Sequence, residues 1–359
     1  MLEEYNELVQ GVDIAILNFF AMPAMHACGF HGILAIACLP FPLHPSRHLE
    51  APFFSSPQMK HARDALVARG GKRAPFLFWA SLLWKTGCAP IAAWRKSKGM
   101  EPANPRLGHF ADLFDGTLQT LYMYSPAVLK KMIDWPASAS VCGFVGVRGK
   151  NPDAATASTL ADIERLTAGK RRTQGSYYLG FGSAVAAVAQ PGKVAASIMN
   201  ALVKANAAPL RPLLICQRAF AQRAALEGVS LSQGSIPVPG AERVQVLLVD
   251  FVPFDLLFQY VGTVIYHGGA GTFGAACSSG CTHVILPVEF DNHWWGSRAS
   301  DLGVGGCAVN SIDESDVLDA IRKASDPIAV ARANDLQEKM RAEEDPVETI
   351  MKIVFSKLG

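Results

Sequence analysis

Short apolar runs alternate with longer amphipathic segments through the second half of the chain. Buried strands read as continuous apolar runs, whereas amphipathic helices repeat an apolar residue every three or four positions. The pattern predicts helices over 191–205, 314–325 and 328–343. It predicts strands over 176–181, 210–216, 244–249, 261–266 and 282–286. Such alternation is typical of an α/β fold with a doubly wound parallel sheet, whose ligands bind beyond the carboxyl ends of the strands.

The first half opens with a long uncharged stretch, 14–46, that contains no Asp, Glu, Lys or Arg. Prolines at 23, 40, 42 and 45 argue against one continuous membrane-spanning helix there. We predict instead a strand over 14–19, a helix over 22–28, a strand over 32–38 and then a loop. A second segment, 75–95, places Phe76, Trp79 and Leu83 on one helical face, which predicts a buried core stripe.

A glycine-rich turn follows the apolar run 256–265, which predicts a buried strand, and precedes a predicted helix over 273–279. The residues from 265 to 272 read I-Y-H-G-G-A-G-T. Glycines allow close backbone approach, and the amino end of a helix offers free N–H groups and a favourable dipole to an anion. His267 adds a directed donor at the end of the strand. The segment therefore predicts a phosphate site.

A second polar segment follows at 287–296, P-V-E-F-D-N-H-W-W-G, with the carboxylate of Asp291 beside the amide of Asn292 in a predicted loop. This pairing suits sugar hydroxyls, so phosphate and sugar together indicate a nucleotide sugar. The rival interpretation is a dinucleotide-dependent oxidoreductase, because 269–274 fits G-x-G-x-x-G and Glu289 lies 20 residues after Gly269. Against it, the motif comes late in the chain, and that fingerprint gives no role to the preceding histidine.

These motifs resemble family 1 glycosyltransferases, above all the sterol 3-beta-glucosyltransferase branch, whose signatures read H-H-G-G-A-G-T-T and P-F-F-G-D-Q-P-F-W-G. The chain has Tyr266, Phe273 and Asn292 at three of these positions. The resemblance extends upstream to 178–183 and to the V-P-F-D-L-L-F segment at 252–258, and it is looser before residue 177. The resemblance implies two Rossmann-like domains of the GT-B type, the first truncated at its N-terminus. The implied division is an acceptor-side domain at 1–150, a linker at 151–172, a donor domain at 173–345 and a bracing helix at 346–359.

By the resemblance, the chain transfers glucose from UDP-glucose to a sterol or similar lipid alcohol with inversion, and needs no metal or cofactor. The implied partners are a UDP-sugar and a lipophilic acceptor, with the 75–95 helix as an alternative lining for the acceptor pocket. His267, the glycines and Thr272 would hold the diphosphate, Asp291 and Asn292 the sugar, and Ser183 the nucleotide or phosphate. The implied donor-site residues are Ser183, His267, Gly268, Gly269, Gly271, Thr272, Asp291 and Asn292.

The family's opening G-x-R-G-D-V-x-P loop, which carries the catalytic base, has no counterpart in this sequence. The expectation is therefore a chain that lacks the leading part of the enzyme, and an inactive UDP-sugar-binding remnant is the alternative function. His26 and His44 are conceivable substitutes for the base, but buried structural histidines are the preferred interpretation. We nominate no catalytic base.

Composition narrows the remaining choices. The 359 residues are half apolar with a net charge of +2, so no strong attraction to nucleic acid is expected. The basic clusters at 95–98 and 170–172 predict solvated loops, with peripheral membrane contact an option for the first. Eight scattered cysteines, without a C-x-x-C pair, indicate packing in a reducing cytoplasm rather than zinc binding, including Cys277 and Cys281 near His283.

Overall fold

The chain forms two α/β units in a computed structural model that describes residues 1–146, 152–169, 173–206, 212–231, 234–235 and 244–358. One unit comprises Met1–Val145 with Glu343–Gly359, and the other comprises Gly146–Ala342. The predicted α/β class with Rossmann-like parallel sheets is confirmed. The predicted basic cluster at 170–172 and residues 210–211 of a predicted strand lie outside the described residues.

The first unit is built on a four-stranded parallel sheet in the order β1-β2-β3-β4. Its elements are α1 (Leu2–Leu8), β1 (Ile14–Leu17), α2 (Met25–His31), β2 (Leu34–Leu39), α3 (Lys60–Gly70), α4 (Arg73–Ser97), α5 (Phe110–Asp115), β3 (Gln119–Tyr122) and β4 (Ala139–Val141).

The second unit contains a seven-stranded sheet in the order β11-β10-β9-β5-β6-β8-β7, parallel except for β7. The buried core lies between this sheet and helices that include α7 and α12. Its elements are α6 (Ala154–Leu166), β5 (Thr173–Leu179), α7 (Pro191–Ala205), β6 (Leu213–Gln217), α8 (Arg218–Leu226), β7 (Gly234–Ser235), β8 (Gln245–Val249), α9 (Phe254–Leu257), β9 (Val261–Tyr266), α10 (Ala270–Ser279), β10 (Thr282–Ile285), α11 (Asn292–Leu302), β11 (Gly305–Cys307), α12 (Glu314–Ser325) and α13 (Pro327–Arg341).

The final helix, α14 (Pro346–Phe355), belongs to the first unit although its sequence follows the second. Val354 of α14 is 5% exposed and packs in one cluster with Ile36 of β2, Leu121 of β3 and Cys142. The apolar face of α14 therefore completes the core of the first sheet.

Three predicted elements need correction. The predicted linker at 151–172 contains helix α6, because Asp153 accepts a hydrogen bond from Thr156 N at 2.7 Å and Ile163 is fully buried. The predicted strand at 14–19 ends at Leu17, since Asn18 Oδ1 caps a 3-10 helix over Phe19–Ala24 and delays α2 to Met25. The apolar run 256–265 begins in α9, and only its second part forms β9.

Candidate functional site

Three loops of the second unit leave neighbouring strands at the same edge of the sheet. They follow β5, β9 and β10, which lie side by side and parallel. Backbone hydrogen bonds continue past the strand ends, from Gly180 N to Ile265 O at 3.1 Å and from Leu286 N to Tyr266 O at 2.7 Å. The loops beginning at 180, 267 and 286 are therefore neighbours, as expected for strand ends in a doubly wound sheet.

The glycine-rich turn contacts the acid–amide segment through Gly268. This residue has φ +92, and a Cβ there would lie 2.9 Å from both Asn292 O and Ile285 Cγ2. A side chain would therefore separate the two motifs, and the backbone conformation itself favours glycine. Gly269 has an ordinary φ of −66, but a Cβ there would lie 2.5 Å from His267 Nε2 and would push against that ring.

His267 stands at the end of β9 with one ring nitrogen unsatisfied. Its Nδ1 is buried and has no hydrogen-bond partner within the described part of the chain. Burial lowers the pKa of His267 to about 4, so the ring is neutral near pH 7. A neutral imidazole can donate one N–H to an incoming oxygen without carrying a charge into the site.

The amino end of α10 lies directly beside this histidine. The predicted helix start at 273 was wrong by three residues, because α10 begins at Ala270, and Gly271 and Thr272 therefore belong to its first turn. Gly269 caps the helix without a side chain, so in the described structure the first N–H groups have no side-chain acceptor. Gly271 has no heavy atom within 4 Å of a built Cβ, which leaves open space above the helix.

The predicted loop at Asp291 and Asn292 was wrong. Asp291 caps α11, and Asn292 is the first residue of this helix. Asp291 Oδ2 accepts a hydrogen bond from Trp295 Nε1 at 2.7 Å, and burial raises the pKa of Asp291 to about 6. Asn292 Oδ1 accepts from Glu289 N at 3.0 Å and Val288 N at 3.3 Å. Both side chains are buried. The Oδ1 atom of Asn292 orders its own loop through these two hydrogen bonds, while its Nδ2 keeps two N–H donors.

The third loop carries Ser183, which is exposed in a 3-10 turn spanning Gly182–Ala187. A built Cβ on Gly182 would lie 4.0 Å from His267 Cε1, so this loop borders the histidine. Gln217, at the end of β6, orders the turn: its Oε1 accepts from Phe181 N at 2.9 Å, and its Nε2 donates to Gly182 O at 3.3 Å. Sequence reasoning missed Gln217, although its position as the polar residue directly after the predicted strand 210–216 was the available signal.

Phe290 is a second residue that sequence reasoning missed. It has φ +51 and is 63% exposed immediately before Asp291. A bulky residue in the left-handed region is a backbone outlier, and outliers of this kind collect at functional sites. The related signature P-F-F-G-D-Q has glycine at this position, so the backbone strain at Phe290 could have been predicted from the motif.

The first unit carries an aromatic cluster beyond the carboxyl ends of β1 and β2. Phe19 and Phe41 follow those strands with ring centroids 5.5 Å apart. Phe53 stacks on Trp79 of α4 at 3.9 Å, and Trp79 also lies 5.5 Å from Phe19. Phe76 is 2% exposed in the core, as the predicted stripe requires, whereas Phe19, Phe53 and Trp79 are only partly buried. The cluster is an apolar surface where a Rossmann-like unit binds ligands.

The two histidines considered as substitute bases are buried. His44 is 1% exposed and its Nδ1 lies 2.7 Å from the Tyr122 hydroxyl. His26 is 5% exposed and its Nδ1 lies 3.0 Å from Arg95 Nη1. Burial lowers the pKa of His44 to about 4 and that of His26 to about 3. Both rings therefore serve the core of the first unit.

The cysteines near His283 also pack in the core. Cys277 Sγ lies 3.4 Å from His283 Nε2, and Cys281 Sγ donates to backbone carbonyl groups. Across the described residues, no three His, Cys, Asp or Glu side chains are grouped to hold a metal ion.

Comparisons with known proteins point to one group of enzymes. Residues 231–355 match the family described as Erythromycin biosynthesis protein CIII-like, C-terminal domain. The chain is 27% identical over 288 residues to a sterol 3-beta-glucosyltransferase of Aspergillus clavatus, covering 79% of this chain. It is 24% identical over 331 residues to one of Vanderwaltozyma polyspora, covering 88% of this chain. The alignments take in only 19% and 25% of those relatives, so the chain spans a quarter of their length or less.

Solved structures show the same fold. The glycosyltransferase of kitacinnamycin matches with a TM-score of 0.61 and 15% identity, over 100% of this chain and 80% of that one. Spinosyn rhamnosyltransferase SpnG complexed with thymidine diphosphate matches with a TM-score of 0.59 and 16% identity, over 98% and 76%. The predicted resemblance to GT-B glycosyltransferases of family 1, with sterol 3-beta-glucosyltransferases among the homologues, is confirmed.

Proposed function

We propose that the second unit binds UDP-glucose and that the protein transfers its glucose to the hydroxyl of a sterol or similar lipid alcohol. The observation that carries the proposal is the unpartnered Nδ1 of His267 beside the uncapped amino end of α10. Together they offer a neutral donor, backbone N–H groups and a helix dipole at one position, which is the combination that a diphosphate requires.

The chemistry follows from these groups. As the bond between the sugar and the diphosphate breaks, negative charge grows on the leaving UDP, and the α10 N–H groups with His267 stabilise it. Asn292 Nδ2 and the carboxylate of Asp291 are proposed to bind the sugar hydroxyls. A neutral His267 keeps this arrangement unchanged through the neutral pH range, because the pKa of about 4 lies well below it.

The acceptor half of the proposal depends on the aromatic cluster of the first unit. Phe19, Phe53 and Trp79, which pack on the buried Phe41, form a partly exposed apolar surface next to strand ends, and it suits the rings of a sterol better than a polar acceptor. Relatives named sterol 3-beta-glucosyltransferase support the same acceptor class. No residue is assigned as the catalytic base.

Calorimetric titration of the chain with UDP-glucose tests the donor site, with UDP-galactose and NADH as competing ligands. His267→Ala should weaken UDP-glucose binding about tenfold to a hundredfold, since it removes a hydrogen bond to a charged group. His61→Ala, an exposed histidine on α3, is the matched control and should bind as the parent does.

A sterol glucosylation assay then tests transfer separately from binding. Tight UDP-glucose binding without transfer would support a binding remnant in place of the enzyme. The donor assignment would be wrong if the folded protein does not bind UDP-glucose. Tighter binding of NADH than of UDP-glucose would favour the oxidoreductase interpretation.

A further inference from the structure

Positive charge is concentrated in one helical pair of the first unit. Residues 60–98, which include α3 and α4, contain nine lysines and arginines but a single acid, Asp64. The whole chain, by contrast, has a net charge of only +2. Asp64 is already paired with Lys60 at 2.6 Å, so the pair of helices presents a strongly cationic surface.

A groove with apolar lining residues runs between α3 and α4. Its volume is about 730 Å³, and its apolar lining includes Leu66, Leu77, Phe78 and Leu82. Phe78 is 47% exposed and Leu82 is 49% exposed, although the opposite face of α4 is buried through Phe76, Ala80 and Trp84. Helix α4 is therefore apolar on two faces, and only one of them is covered by the described part of the chain.

Three cations line this groove and remain available to a ligand. Arg69, Lys85 and Arg106 are exposed, and none of them forms an ion pair with a described residue. No carboxylate stands among the described residues that line the groove. Half-exposed apolar side chains beside unpaired cations complement a hydrocarbon layer covered by anionic headgroups, which describes the interface of an acidic bilayer.

Helix α4 is long and apolar enough to span a membrane, and 22% of its apolar stretch of 18 residues is buried. Lys85 interrupts the exposed face midway, and the buried face belongs to the core of the first unit. These two facts favour a helix that lies along a membrane rather than one that crosses it. Helix α3 contains no buried residue, so the second wall of the groove is also open to a partner.

The basic cluster at 95–98, predicted as a solvated loop with membrane contact as the option, forms the end of α4, and two of its cations are held within the protein. Arg95 donates to Glu101 O at 2.8 Å through Nε, and Lys98 pairs with Glu3 at 3.1 Å. Lys96 is exposed in this cluster, whereas Arg69, Lys85 and Arg106 line the groove toward the other end of α4.

We infer that the groove between α3 and α4 docks on an anionic lipid membrane, with Phe78 and Leu82 entering the interface while Arg69, Lys85 and Arg106 pair with lipid phosphates. The inference does not depend on the proposed transferase function. Membrane binding and UDP-glucose binding concern different units and can fail separately.

Co-sedimentation of the full chain with vesicles tests the inference. Vesicles of phosphatidylcholine with phosphatidylserine should retain the protein, and vesicles of phosphatidylcholine alone should not. Lys85→Glu should weaken binding about tenfold or more, because each cation near an acidic surface contributes about 1 kcal/mol. The double variant F78S/L82S should weaken it by a similar factor through the loss of buried apolar area.

Matched control variants distinguish vesicle binding by the groove from non-specific vesicle binding. Ile133→Ser removes a side chain that is 91% exposed elsewhere in the same unit, and Lys193→Glu reverses an exposed charge in the second unit. Both should bind acidic vesicles like the parent. The inference fails if the parent ignores both kinds of vesicle, if neutral vesicles bind equally well, or if the groove variants behave as the controls do. A dimer that F78S/L82S dissociates, without vesicle binding, would assign the groove to self-association instead.

Discussion

Gly268 shows how a single residue brings two motifs into one site. Its φ of +92 and the 2.9 Å separation between a built Cβ and Asn292 O leave no room for a side chain. Gly268→Ala should lower the free energy of unfolding by about 2 kcal/mol, because the strain and the clash add. The same variant should lose UDP-glucose affinity, since the glycine turn and the acid–amide segment would move apart. Urea unfolding and calorimetry measure the two effects.

Gly271 provides the matched control, three residues along the same turn. A Cβ there meets nothing within 4 Å, and the residue lies in the first turn of α10. Gly271→Ala should keep or raise stability, by up to about 1 kcal/mol, because alanine favours the helix. Equal losses in the two variants would contradict the steric account of Gly268.

Phe290 permits a prediction of the opposite sign. A left-handed conformation costs a non-glycine residue about 1–2 kcal/mol, and Asn tolerates it better than Phe. Because Phe290 is 63% exposed, little burial is lost on substitution. Phe290→Asn should therefore raise the free energy of unfolding by about 1 kcal/mol in urea. Phe251→Asn, at a site that is 80% exposed and outside the positive-φ set, should leave it nearly unchanged. Equal changes in both would remove strain as the explanation.

At the scale of elements, the apolar pattern predicted α7, α12 and five parallel strands of the second unit, but it did not predict α6, α8, α11 or β11. Helices α7 and α12 begin and end where the pattern placed them. The prediction from the apolar pattern failed where a local polar contact determines the secondary structure. Asp153 turns a polar, small-residue segment into α6, and Asn18 ends β1 early by capping the next turn. Such contacts join side chain to backbone and leave no periodic signal.

Helix α14 packs on the sheet of the first unit although it is far from that sheet in sequence, and its contribution to stability can be tested. Val354 is 5% exposed against Ile36 and Leu121, whereas Phe355 is 59% exposed on the same turn. Val354→Asp should cost about 3–5 kcal/mol, because it buries an uncompensated charge. Phe355→Asp changes the helix end by the same charge and should cost far less. Comparable losses, measured by thermal unfolding, would show that α14 does not stabilise the first unit through Val354.

At the scale of the whole molecule, the α/β class and the convergence of two motifs were predictable, because parallel strands bring their carboxyl ends to one edge. The burial of Asp291 and Asn292 was not predictable, since it depends on α11 beginning at this pair. The aromatic cluster of the first unit was also missed. Phe19, Phe41, Phe53 and Trp79 are dispersed along the sequence, and only the folded chain brings their rings together.

Both units bury histidines, and this gives the molecule a predicted sensitivity to acid. Burial lowers the pKa of His109, His44 and His267 to about 4, and that of His26 and His283 to about 3, from an ordinary 6.5. The unfolded chain therefore binds more protons below pH 6.5, and stability should fall as the pH drops from 6.5 toward 4. Asp291, whose pKa is raised to about 6, and Asp112, whose pKa burial also raises, act in the opposite direction but are fewer than the histidines.

The slope of unfolding free energy against pH isolates one of these histidines. His109→Leu should flatten the slope between pH 6.5 and pH 4 by up to about 1.4 kcal/mol per pH unit, whatever it does to the absolute stability. His61→Ala, at an exposed position, should leave the slope unchanged. Urea unfolding at a series of pH values measures both. If His109→Leu retains the full slope of the parent, His109 titrates alike in the folded and unfolded chains, and the acid sensitivity must come from other groups.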